Sequence, residues 1–201
     1  MDSAAAHNDG LLPPLQLRIA AGDPAAFREL FHLYFHKLSA FACSFVKTEE
    51  VAAEITDEIF LRIWNNRATL PEIGSLRVYL YRAVKNESLN YLSRKAKQHL
   101  YEPFDDIHIR LTDEQNPEKL MISRELSQRI REAVESLPPR CKIIFKLVKE
   151  DGLRYQEVAD ILNLSVKTVD AQMVIAVSRL REAVKEDFHQ LSPKTFKKIH
   201  D

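Results

Sequence analysis

An all-α fold is predicted: two small helical domains, an N-terminal helical bundle and a C-terminal helix-turn-helix domain, joined by an acidic linker. Three observations predict it. There are only 4 glycines in 201 residues. Apolar residues recur at intervals of three and four along the chain. Two starts, Asp23-Pro24 and Asn116-Pro117, each place a capping side chain before a proline at the first helical position. The bounds read as 22–97 for the first domain, 98–116 for the linker and 117–187 for the second.

With 45% hydrophobic and 29% charged residues, the chain can bury one generous core or two small ones. The first residues, MDSAAAHNDG, lack a basic region and an apolar run, so no secretion signal is read. No apolar stretch reaches membrane-spanning length, and insertion is not expected. Cys43 and Cys141 lie in helical segments without metal-type neighbours, which reads as buried reduced thiols in a cytoplasmic protein.

Residues 1–21 read as a loose arm with partial helix at most. After Asp23-Pro24, Phe27, Leu30, Phe31, Tyr34, Phe35, Leu38, Phe41 and Phe45 form a core stripe. His32 and His36 stand four apart, but no third ligand is evident and no metal is assigned. Thr48 is placed to cap the next helix, with Glu49 and Glu50 in its first turn. Ala52, Ile55, Ile59 and Ile63 make the buried face of that helix. Glu50, Glu54, Asp57, Leu61 and Trp64 share another. Acids carrying Leu and Trp suit a docking surface for a basic partner, although Trp64 could instead complete the core.

After a turn at 70–75, a helix runs from about residue 76 to 97. Leu80, Val84, Ser88 and Leu92 mark its core face. Arg82, Asn86, Asn90 and Arg94 repeat the interval two residues later, about 200° around the helix. With Tyr79, Tyr81 and Tyr91 interleaved, this second face suits a nucleic-acid strand: charge for phosphates, rings and amides for bases. A solvated helix with buried tyrosines is the plainer alternative. Residues 98–116 break the periodicity at Pro103 and are acidic throughout. A helix through Glu135, the turn Leu137-Pro138-Pro139 and a helix over 140–150 follow.

Residues 152–181, GLRYQEVADILNLSVKTVDAQMVIAVSRLR, carry the spacing of a helix-turn-helix. Ala159 is small where two helices cross, Asn163 tolerates positive φ at the turn, and Val169 seats the second helix. Ser165 is placed to cap that helix, with Lys167, Thr168, Asp170 and Gln172 at the end that enters a groove. An ordinary helical hairpin is the plainer alternative.

Three segments occur in order: EITDEIFLRIWNNR (54–67), GSLRVYLYRAVKNESLNYLSRK (74–95) and LPPRCKIIFKLVKEDGLRYQEVADILNLSVKTV (137–169). Over about residues 22–185 this resembles the extracytoplasmic-function group of bacterial RNA polymerase sigma factors. The resemblance implies that core RNA polymerase is docked by Glu54, Asp57, Glu58, Leu61 and Trp64. It implies recognition and opening of the minus-ten element by Arg82, Lys85, Asn86, Asn90, Tyr91 and Arg94, with the loop before them. It implies minus-thirty-five reading by Ser165, Lys167, Thr168, Asp170, Ala171, Gln172, Ile175 and Arg179. Gln172 could read adenine and Ala171 or Ile175 thymine methyls, whereas Lys167, Thr168, Arg179 and Arg181 are general DNA contacts. Promoter DNA and core polymerase are the implied partners, with an anti-sigma factor as a third.

The rival reading is a stand-alone helix-turn-helix regulator that binds duplex DNA without polymerase. Formal net charge of zero and the acidic docking stripe speak against it. No P-loop, no Ser/His/Asp arrangement and no carboxylate set for a metal are present. No catalytic residue, cofactor or small-molecule substrate is expected.

Overall fold

A computed structural model describes residues 12–98 and 124–190 of the chain. Of the predicted linker 98–116, Gln98 is helical, while residues 99–116, the Asn116-Pro117 start and residues 191–201 lie outside the described residues. Among those described, every regular element is helical.

The first helix corrects the looseness expected of residues 1–21, not the partial helix: α1, Leu12–Ala20, is packed down, with Leu12, Leu15 and Ile19 buried. Those positions follow helical spacing, so the apolar face finds a core even at the chain's start. Gly22, at φ 85°, then reverses the chain, a conformation that costs a residue with a Cβ. Asp23 opens α2, Pro24–Val46, accepting from the N–H groups of Ala25 and Ala26 at 2.8 and 3.3 Å. Arg18 pairs with Asp23 at 2.7 Å, and its hydrogen bond first, then the Ala26 and Ala25 N–H groups, hold this carboxyl below its usual range.

Helix α3 spans Glu49–Asn65. Thr48 stands at its N-cap position without capping; its hydroxyl donates to Val46 O at 3.2 Å. A 3₁₀ turn, Arg67–Glu72, leads to α4, Leu76–Gln98. In the second domain, α5 is Arg124–Glu135, α6 Pro139–Lys149, α7 Tyr155–Leu162 and α8 Val166–Gln190. Helix α8 runs three residues past the expected domain end at 187.

The aromatic stripe of α2 packs as predicted. Tyr34, Leu38 and Phe41 are buried, and Phe31 stacks on Phe35 with ring centroids 4.5 Å apart. Between α7 and α8 the chain turns by 110°. Ala159 and Val169 are buried at that crossing, Asn163 holds φ 55° and ψ 51°, and Ser165 Oγ accepts the Thr168 N–H at 3.0 Å. Because φ is positive there, Asn163→Ala is expected to lower stability by about 1 kcal/mol. Asn163→Gly is expected to match or exceed the native chain, and thermal melting of the two variants checks the order.

One feature was not visible in the sequence. A single apolar core runs from Leu12 through Val84 and on to Ile143, Leu147, Leu153, Val158, Val169 and Met173. The two domains therefore pack directly on each other. Val134, Leu137, Cys141 and Ala176 form a separate small cluster in the second domain. Neither cysteine is in a disulfide among the described residues; Cys141 is buried and Cys43 only half-buried. No single described helix is long and apolar enough to cross a membrane.

Candidate nucleic-acid interface

Three surfaces carry the residues singled out above. On α3, Glu54, Asp57, Glu58 and Leu61 are exposed and follow i, i+3, i+4, i+7 spacing, so they form one face. Leu61 is 62% exposed, an apolar side chain standing among carboxylates. Only Glu58 of these acids has a basic neighbour on the helix, Arg62 at 3.3 Å. Trp64 belongs elsewhere. Its ring lies 5.0 Å from Phe27 and under the Arg67 guanidinium at 4.9 Å, so it closes the core and supports the following turn.

On α4, the outward row is real at Arg82, Asn86, Asn90 and Arg94, all exposed, with Tyr91 half-buried. Arg94 reaches Glu87 at 2.9 Å, and Glu87 also meets Arg62 of α3 at 3.5 Å. Lys85 departs from the expectation. It is buried, in the four-residue row of Arg77 and Tyr81, and its ammonium pKa is lowered first by burial and then by Arg82. Tyr81 is likewise a core residue, whereas Tyr79 keeps 38% of its surface exposed.

Ser165, just before α8, and Lys167, Asp170, Ala171, Ile175 and Arg179 on it are exposed, and Thr168 and Gln172 are half-buried. Arg179 Nη1 donates to Ser136 O at 3.2 Å, binding the turn before α6. Val174 and Val177 add apolar surface. Val177, Leu180 and Arg181 line a groove against Ile130 of α5. Among the described residues, no group of three or more His, Cys, Asp or Glu could hold a metal.

The domain contact brings in residues that the sequence reading passed over. Arg77, 3% exposed, places Nη2 2.8 and 2.7 Å from the two carboxylate oxygens of Glu157 on α7. Glu157 also accepts the Arg154 N–H at 2.8 Å, at the start of α7. Arg82 Nη2 donates to Asp160 O at 3.2 Å, so a candidate phosphate ligand here holds the helix-turn-helix.

Deeper in the contact, Tyr81 and Asp151 are both buried, and neither the phenol oxygen nor Asp151 Oδ2 has a conventional hydrogen-bond partner. Burial, then the nearby Asp151 carboxylate, raises the Tyr81 phenol well above its usual range. The Asp151 carboxyl is pushed up to about 6, by burial above all and slightly by Glu150, against the opposing pull of Lys146, Tyr81 and Lys37. A folded-state pKa above the unfolded one means the group favours folding below about pH 4 and loses that contribution as pH rises through about 6. At pH 7 the ionised carboxylate therefore costs about 3 kcal/mol. Asp151→Asn is expected to raise the melting temperature at pH 7 and to flatten its profile between pH 4 and 7. A wild-type-like pH profile in the variant would refute this.

An acidic face with an exposed leucine, an amide-and-arginine helix and a helix-turn-helix on one chain are the features of an all-helical DNA-binding protein. Sigma-70 region 2 matches residues 30–98, and Sigma-70, region 4 matches residues 127–180. The chain belongs to the sigma-70 family of transcription initiation factors, and to its extracytoplasmic-function type. It is a sigma factor, which binds core RNA polymerase and directs it to promoters. It is 29% identical over 174 residues to the ECF RNA polymerase sigma-E factor of Escherichia coli K12, covering 83% of this chain and 88% of that protein. Identity to the sigma-E factor of Haemophilus influenzae is 24% over 181 residues, covering 87% and 93%.

Two solved structures share the fold. CnrH in complex with the cytosolic domain of CnrY has a TM-score of 0.53 at 20% identity, covering 88% of this chain and 98% of that one. The sigma factor RpoE in complex with the anti-sigma factor NepR from Bartonella quintana has a TM-score of 0.56 at 17% identity, covering 79% and 96%.

Proposed function

We propose the following division of labour among the surfaces of this sigma factor. The α3 face of Glu54, Asp57, Glu58 and Leu61 docks on a basic element of core polymerase. The 66–75 loop with Arg82, Asn86, Asn90, Tyr91 and Arg94 of α4 captures the opened minus-ten strand. The outer face of α8, through Ser165, Lys167, Thr168, Asp170, Ala171, Gln172 and Ile175, reads the minus-thirty-five duplex. The domains divide at 22–97 and 117–187, and 98–116 is the linker. The groove beside Val177 and Leu180 receives the polymerase flap. The protein makes and breaks no bond and acts in the cytoplasm. An anti-sigma factor restrains it, a reading supported by the NepR complex of a structural relative.

The observation that carries this reading is the exposed leucine within the acidic face of α3. A self-sufficient duplex binder has no use for it, and an adaptor to a larger enzyme does. Phosphate contacts rest on Lys and Arg, and on this chain these are matched by acids to a formal net charge of zero. Run-off transcription from genomic DNA with purified core polymerase, followed by mapping of the starts, tests the assignment. Promoter-specific starts that depend on the protein are expected. Nanomolar binding of duplex DNA by the protein alone, without such starts, would overturn it.

A further inference from the structure

Helix α1 lies before the residues matched by the family, and its buried face is apolar except at one position. Gln16 sits between Leu15 and Ile19 on that face and is 6% exposed. Its amide Nε2 donates to two carbonyls of the segment between α3 and α4, Leu70 O at 2.9 Å and Ile73 O at 2.9 Å. Leu70 O also accepts the Ile73 N–H at 3.0 Å. One side chain thus closes the inner edge of the loop. A buried amide is costly unless its donors are used, and here both hydrogen bonds reach across more than fifty residues to a single loop.

That loop is held at its inner residues and displayed at its outer ones. Leu70 is 2% exposed. Ala68, Thr69, Pro71, Glu72, Gly74 and Ser75 face solvent. A Cβ built on Gly74 would meet nothing within 4 Å, so the surface beside it is open. At the near end, Arg67 anchors the loop to Trp64, donating to its carbonyl at 3.0 Å. At the far end, the exposed Tyr79 begins the outward surface of α4.

We infer that Gln16 is a positioning residue for strand opening: it fixes the backbone of the 66–75 loop so that the loop and α4 present one preformed surface to an unstacked base. This rests on the reading above that the loop and α4 hold the opened minus-ten strand. A loop ordered before DNA arrives loses less conformational entropy when a base is captured, and so captures it before the duplex re-pairs; a template already open has no re-pairing to outrun. The effect therefore falls on duplex opening rather than on polymerase docking, whose face lies on α3.

The test measures open-complex formation by holoenzyme carrying the native chain, Gln16→Met or Gln16→Glu. Two templates are used: a duplex promoter, and the same promoter mismatched across the minus-ten element. Gln16→Met keeps volume and removes the donors, and Gln16→Glu sets a carboxylate against two carbonyls. Loss of two hydrogen bonds is expected to slow opening of the duplex about tenfold. The pre-opened template should change by less than about twofold, with core-polymerase affinity unchanged. A Leu38→Val chain, altered in the core away from the loop, controls for general destabilisation and should treat both templates alike. Native rates on the duplex with both Gln16 variants would overturn the inference. So would equal losses on the two templates. A native chain that supports no promoter-specific start at all would instead sink the underlying reading.

Discussion

Leu61→Arg is expected to abolish co-purification with core polymerase while the protein stays folded. Leu61 is 62% exposed on α3, so replacing it leaves no cavity, and its cost to folding stays within about 0.5 kcal/mol. Its value lies in what covers it when docked. An apolar anchor ringed by Glu54, Asp57 and Glu58 desolvates those carboxylates against a basic partner and strengthens their attraction. The arginine removes the anchor and places like charge against that partner, a loss of roughly 2–4 kcal/mol at a hot spot, or about 30- to 900-fold in affinity. A variant that retains native melting and still co-purifies with core enzyme would refute this docking face.

Most of the fold was legible because its signals were local. The Asp23-Pro24 start, the aromatic stripe of α2 and the Ala159, Asn163 and Val169 spacing each act within a few residues. All three stand in the structure as read. Thr48 had the right identity for a cap, yet its hydroxyl turned back to Val46, because a capping side chain chooses among several nearby backbone partners. For α1 only partial helix was expected and its docking on the core was not, although Leu12, Leu15 and Ile19 carried the pattern. Two prolines, Pro13 and Pro14, obscured a helix start where missing N–H groups cost nothing.

The candidate surfaces were legible as faces but not as neighbours. Helical periodicity placed Arg82, Asn86, Asn90 and Arg94 together correctly, and it could not foresee that Lys85 would be buried. Nor could it link Arg77 to Glu157 or Gln16 to Leu70, pairs separated by 80 and 54 residues. A lone amide inside an apolar stripe was the available sign for Gln16. For Arg77 the sequence offered none, since an arginine at the start of a basic helix reads as one more surface charge.

Arg77→Met is expected to open the molecule. In the closed arrangement the helix-turn-helix rests on α4, and Arg82 donates to Asp160 O. Promoter elements named for positions ten and thirty-five lie about 25 base pairs apart, roughly 85 Å along B-form DNA. On the division of labour proposed above, domains in direct contact cannot read both, so promoter engagement requires their separation. Arg77 and Glu157 hold the contact through a pair buried at one end and 17% exposed at the other. Removing one partner of a fully buried pair costs about 3–5 kcal/mol; the partial exposure of Glu157 brings this to about 2–3 kcal/mol. Methionine keeps most of the volume, so the change falls on the clamp rather than on α4. A shift of that size moves the balance between closed and open chains by roughly 30- to 150-fold. The radius of gyration of the free protein should rise, and core polymerase should capture the variant faster than the native chain. Unchanged scattering by Arg77→Met would show that the apolar contact alone keeps the domains together. Faster capture with unaltered start sites is the expected pattern, because the clamp restrains access to the reading surfaces and contributes nothing to the bases they select.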